Sequence, residues 1–224
     1  MKFDAELVAR NITVSEIVHV DESLVLHSPG ELAEGVRVER GGQSIADDLA
    51  PDGTVRSLIK GKSPQGREGE REACQILIER LNRGRTDGEK WRDLTEQRED
   101  SPVDWEASAP PPRGGREPSR LRIQVTLVGD SDFWQRLNTV GQIEEKSSIA
   151  DLREALYAAI RVKSTRSSPD IVLAINARDT PRHSFRPVVD SFREQHAGWA
   201  AEIGFQEIWV VGPIPDMTER LDLQ

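Results

Sequence analysis

The sequence predicts an α/β fold, on three observations. Amphipathic helical segments alternate with apolar strand segments from residue 70 to residue 211. The run Asp170-Ile-Val-Leu-Ala-Ile-Asn176 is apolar without alternation, the pattern of a strand buried on both faces of a parallel sheet. All five Trp residues and the single Tyr lie beyond residue 90, so the material for a sizeable core is concentrated in the later part of the chain. At roughly 100–200 residues per domain, the 224 residues suit one domain with an appendage.

Residues 1–62 carry 7 Lys and Arg against 11 Asp and Glu, and their only aromatic residue is Phe3. Gly30, Gly35, Gly41, Gly42 and Gly53 interrupt the pattern repeatedly. The stretches 15–20 and 24–27 are β-branched or leucine-rich and predict short strands. A small β-rich N-terminal extension is therefore expected over 1–62, packed on a main α/β domain at 63–224 or on a partner.

The clearest helix is expected over 70–81, where Ala73, Cys74, Leu77, Ile78 and Leu81 share one face. Arg80 and Arg83 lie at the end that favours cations, and Gly84 supplies a stop. Residues 102–107 read as a short strand, and the Pro/Gly-rich stretch 109–118 reads as a loop. The clearest alternating strand is 121–128. Leu121, Ile123, Val125 and Leu127 point one way, and Arg122, Gln124 and Thr126 the other. A short helix is expected over 131–137. A longer one runs from Ser148, which makes a capping-box pair with Asp151, to about residue 162. Pro187 is expected to open an amphipathic helix closed by Gly204, and 205–211 is the last strand. The resulting order is helix, β-hairpin, helix, strand, helix, strand.

Composition excludes several functions. A single cysteine, Cys74, rules out an intramolecular disulfide framework and a Cys-based zinc site. No apolar run is long enough to span a bilayer, and the acidic start Met1-Lys2-Phe3-Asp4-Ala5-Glu6 is unlike a signal peptide. No membrane association and a cytoplasmic location are therefore expected. The formal charge of −9 argues against a general nucleic-acid coat but not against a local basic face. Gly61-Lys62-Ser63 fails as a phosphate loop because Arg56 stands where the first glycine is required. The four His residues show no metal-ligand spacing.

One constellation remains. Gly66-Arg-Glu-Gly-Glu70-Arg-Glu-Ala-Cys-Gln-Ile-Leu-Ile opens the first helix, Val103-Asp104 precedes a strand, and Ile123-Gln124-Val125-Thr126 lies on the next. Over residues 66–212 this pattern resembles the PD-(D/E)xK nuclease superfamily, with its restriction-endonuclease-like core. The helix resembles the opening helix of archaeal Holliday-junction resolvases. The resemblance implies a metal-dependent nuclease acting on DNA or RNA, with Glu70, Asp104 and Gln124 around Mg²⁺ or Mn²⁺. Oxygen ligands of this kind suit those cations. The sequence departs from the family at its central motif, with Gln124-x-Thr126 in place of the acid-x-Lys pair. Gln for the acid is a variation known in the family; the missing lysine requires a cation from elsewhere. Lys163, seven residues beyond Leu156 on the next helix, is the candidate, although the end of a helix favours a lysine in any case.

Other assignments stand beside these. Glu70 also fits a first-turn carboxylate stabilised by the helix dipole, with Glu72 as the fallback ligand. Glu106 shares a strand face with Asp104. Arg113, Arg116, Arg120, Arg122, Arg166 and Arg182 are candidates to grip a phosphate backbone. The degenerate motif keeps open a catalytically inactive relative that binds nucleic acid or protein in a defence or repair assembly. The acidic balance keeps open an α/β domain with no nucleic-acid role. A homodimer or a protein partner is compatible with any of the three.

Overall fold

The structure is a computed structural model that describes residues 24–26, 36–40, 43–49, 54–60, 66–98, 100–111, 117–128, 131–178, 182–212 and 214–223. The described residues form two sheets. In the first, β1 (Leu24–Leu26), β2 (Val36–Arg40), β3 (Gln43–Leu49) and β4 (Thr54–Lys60) pair antiparallel in chain order, and β8 (Gln142–Ser148) adds to β4. The strand expected at 24–27 is present as β1. The one expected at 15–20 lies outside the described residues. β8 is a strand that the sequence does not announce. Gln142-Ile-Glu-Glu-Lys-Ser-Ser148 has no apolar alternation, as an antiparallel edge strand can afford. Its pairing Thr54↔Ser148 through Lys60↔Gln142 carries this sheet across the boundary drawn at residue 62.

The second sheet is mixed and has six strands in the order β11-β10-β9-β7-β6-β5. These are β5 (Arg92–Glu96), β6 (Trp105–Ala109), β7 (Ser119–Leu127), β9 (Ile171–Asn176), β10 (Glu207–Val211) and β11 (Thr218–Arg220). β7, β9 and β10 run parallel, and the remaining strands add antiparallel at either side. β9 is buried at every position, as its unbroken apolar run predicts. The fold is thus mixed α/β.

Helix α1 (Arg67–Asn82) covers one face of this sheet. Its Ala73, Cys74, Leu77 and Ile78 pack on Trp105, Ala107, Ile123, Val125, Val172, Ala174 and Val211. Helices α3 (Ile149–Lys163) and α4 (Arg182–Glu202) cover the other, where Leu156, Ile160, Val188 and Phe192 meet Ile171, Leu173, Ile175, Ile208 and Val210. Helix α2 (Ser131–Val140) lies between β7 and β8 in the chain. The expected capping box is formed: Ser148 Oγ accepts from Asp151 N at 3.1 Å, and Asp151 Oδ2 accepts from Ser148 N at 2.9 Å.

Two boundaries differ from the sequence expectation for identifiable reasons. Pro187 lies inside α4, which begins at Arg182. A helical start five residues earlier brings Phe185 onto the buried stripe with Val188, Val189 and Phe192, at the loss of one ladder hydrogen bond to the proline. The strand expected from residue 102 begins at Trp105, because Asp104 diverts the ladder before it.

Candidate functional site

The charged groups that sequence reasoning singles out on α1 and before β6 meet at the N-terminal turn of α1. Gly66 precedes that turn with φ 108°, a backbone conformation open to glycine, and no side chain caps the helix. The first turn is instead fastened from the end of β9. Asn176 Nδ2 donates to Gly69 O at 3.5 Å, and the buried Arg178 guanidinium joins Asn176 Oδ1, at 3.1 Å, to the Glu72 carboxylate. Arg178 is only 2% exposed at its side chain, so these partners offset the cost of burying it.

Asp104 arrives from the opposite side. Where β6 has not yet begun, β7 lacks a strand on the side away from β9, and Asp104 supplies a partner there. Its N–H donates to Ile123 O at 3.0 Å, and its Oδ2 accepts from Val125 N–H at 2.7 Å. One carboxylate oxygen therefore completes the strand ladder and is fixed in place by it. The other, Oδ1, faces α1, 4.0 Å from Arg67 Nη1. The same guanidinium lies 3.4 Å from Glu70 Oε2 and 2.9 Å, through Nε, from Glu96 Oε1 on β5. Beneath them Cys74 is buried. Burial pushes its thiol well above the ordinary range, and the nearby Glu70 and Asp104 carboxylates push it further.

Of the residues expected to form the site, Glu70 and Asp104 are thus brought to one place. Gln124 is not beside them. Ile123 and Val125 pack against α1, so Gln124 leaves β7 on the face covered by α3 and α4. It is 2% exposed, its Nε2 donates to Pro102 O at 3.4 Å, and its Oε1 has no partner. Lys163 ends α3 on that opposite face, before the 3-10 turn Ser164–Arg166 that leads to the start of β9. Glu106 is also turned away from α1 and accepts from Arg120 Nη1 at 3.0 Å.

The basic candidates divide between two ends of the sheet. Arg120, Arg122 and Arg166 lie where β7 and β9 begin, and Arg122 is paired with Asp170. Arg182 stands at the start of α4, beyond the end of β9. Arg113 and Arg116 lie outside the described residues. Arg67 and Glu96 belong to the cluster although sequence reasoning passed over them, and Arg178, read from sequence only as one of the basic residues that follow the buried strand, joins it through Glu72. One signal was available: Arg67 places a cation at a helix N-terminus, where the dipole disfavours it.

Among the described residues no three His, Cys, Asp or Glu side chains are close enough together to hold a metal ion. Two hard carboxylates from separate elements are nevertheless a donor set that Mg²⁺ or Mn²⁺ accepts, since these cations retain waters and add substrate phosphate oxygens. Among the described residues no helix is long and apolar enough to cross a membrane. No family model, no curated protein and no solved structure matches the chain.

Proposed function

We propose that the chain is a metal-dependent phosphodiesterase acting on nucleic acid, with a restriction-endonuclease-like core and its site at the N-terminus of α1. The observation that supports this most directly is the pairing of Glu70 with Asp104. A helix carboxylate and a strand-end carboxylate approach one point, and the second is held rigid by Val125 N–H. A divalent cation bound there would supply charge stabilisation at the phosphorus and an acidified water. Asp104 Oδ1 and Glu70 would hold it. Arg67, the cation nearest both carboxylates, takes over the role that the sequence assigned to Lys163. Val125 N–H keeps Asp104 from rotating, so the carboxylate needs no reorganisation on binding.

A second reading, a catalytically inactive relative that binds nucleic acid, draws on Gln124. Its amide is buried on the far face, so the position that is acidic in active relatives contributes nothing at Glu70 and Asp104.

The test is cleavage of plasmid DNA, single-stranded DNA and RNA in Mg²⁺ or Mn²⁺, comparing the wild type with Asp104→Asn. Asparagine can still accept from Val125 N–H, so folding is retained, while loss of the charge is expected to lower cleavage by at least about a hundredfold. Cleavage that persists in Asp104→Asn overturns the assignment. Nucleic-acid binding without cleavage in either protein transfers support to the second reading.

A further inference from the structure

The Arg67 guanidinium meets the carboxylates of three different elements: Glu70 in α1, Glu96 in β5 and Asp104 ahead of β6, at 3.4, 2.9 and 4.0 Å. It is 41% exposed at its side chain, so it is not sealed in. Its position is unfavourable for the helix, because a cation in the first turn opposes the dipole. The acids, rather than the helix, hold it there. A guanidinium is wide and planar, and three carboxylates arranged around one stand farther apart than three sharing a single metal ion. The cation and the carboxylates therefore form a closed set: as long as Arg67 lies among them, a divalent ion would meet a positive charge a few ångströms away.

Resting on the phosphodiesterase reading of this site, we propose that Arg67 is a gate for the metal. Its guanidinium holds the place of the divalent cation among Glu70, Asp104 and Glu96, and a phosphodiester draws it away. The forked guanidinium pairs with phosphate as well as it pairs with carboxylate. When substrate arrives, Arg67 exchanges the acids for the phosphate, the repulsion falls, and Glu96 becomes free to serve as a third carboxylate. Metal and substrate then bind with positive coupling, and neither alone occupies the site well. The coupling is reciprocal by thermodynamic necessity.

The experiment is Mn²⁺ binding, followed by electron paramagnetic resonance, to the full chain as wild type, Arg67→Gln and Arg67→Lys, each with and without dimethyl phosphate as a minimal phosphodiester. Couplings of this kind are typically fivefold or more. The wild type is expected to bind Mn²⁺ weakly and to tighten by about fivefold or more with dimethyl phosphate. Arg67→Gln is expected to bind about fivefold tighter from the outset and to be indifferent to dimethyl phosphate. Arg67→Lys keeps the charge and is expected to stay weak. Circular dichroism of each variant establishes that the fold is unchanged. Mn²⁺ binding in which Arg67→Gln equals or falls below the wild type overturns the gate and leaves the metal site standing. A dimethyl phosphate effect equal in wild type and Arg67→Gln also overturns it. No Mn²⁺ binding by any of the three proteins, with or without dimethyl phosphate, removes the metal site itself and the gate with it.

Discussion

The two faces of the six-stranded sheet are built to different rules. Under α1 the sheet presents Ala107 and Ala174 between larger residues, Trp105, Ile123, Val125, Val172 and Val211, and the helix answers with Ala73, Cys74, Leu77 and Ile78. Under α3 and α4 it presents Ile171, Leu173, Ile175, Ile208 and Val210, met by Leu156, Ile160 and Phe192. The small residues add little bulk between α1 and the strands at those positions. The first turn of α1 meets the end of β9 through Asn176 and Arg178, and Glu70 comes near Asp104. The charged groups accumulate at that close contact. The two-helix face carries the aromatic pair Phe185 and Phe192 and bears the buried Gln124 amide, whose Oε1 lacks a hydrogen-bond partner among the described residues. One face is organised for burial, and the other uses burial to place charge.

That contrast can be broken from either side. Phe192 is fully buried in the two-helix core, and Phe192→Ala is expected to cost about 3–5 kcal/mol, read as a fall in the urea midpoint at unchanged slope. Any phosphodiesterase activity should survive in the folded fraction, since Phe192 packs on the face away from Glu70. A loss of activity in fully folded Phe192→Ala would show that the faces are not separable. Ala174→Leu tests the other side. Ala174 is fully buried beneath α1, and the added bulk is expected to cost about 1–3 kcal/mol by pushing the helix outward. Here the expected loss of metal binding exceeds what the stability change explains, because moving α1 separates Glu70 from Asp104. Unchanged Mn²⁺ affinity in Ala174→Leu would mean that close packing does not set the carboxylate spacing.

The same contrast explains how far the sequence could be read. The apolar periodicity of α1 and the Ser148–Asp151 pair of α3 are local signals, and both elements formed as expected. Asp104 lies just ahead of a strand, as the sequence reading has it, and there its carboxylate accepts from Val125 N–H. Gln124, next to Ile123 and Val125, leaves β7 by the opposite face, as alternation requires, and so lies away from α1. Glu96 was hidden among ordinary surface charges, and Arg67 showed only its unfavourable place in a first helical turn; that it meets the acids of β5 and of the segment before β6 is decided by tertiary contacts. β5 and β8 were hidden similarly: edge strands pair through their backbones, and Arg92–Glu96 and Gln142–Ser148 carry little apolar pattern. The position of Pro187 was decided by Phe185, whose burial outweighs the proline's missing hydrogen bond.

The smallest effect concerns Cys74, where the close packing under α1 and the charges above it act on one atom. Its thiol is held well above its ordinary value of about 9.0, first by burial and then by Glu70 and Asp104. Below pH 9 the thiol is protonated in both the folded and the unfolded chain and contributes nothing to pH dependence. Above it the unfolded chain releases the proton while the folded protein retains it, so stability falls as pH rises, by about 1.4 kcal/mol per pH unit. Cys74→Ala removes that contribution and leaves every other titrating group in place. Urea midpoints of wild type and Cys74→Ala at pH 8, 9.5 and 10.5 are therefore expected to converge or cross as the wild type loses stability faster. Parallel curves would show that the thiol ionises as readily in the folded protein as in the unfolded one. In that case the face beneath Glu70 and Asp104 admits water, and the tight seating of α1 on Ala107 and Ala174 would have to be abandoned as the source of the carboxylate geometry.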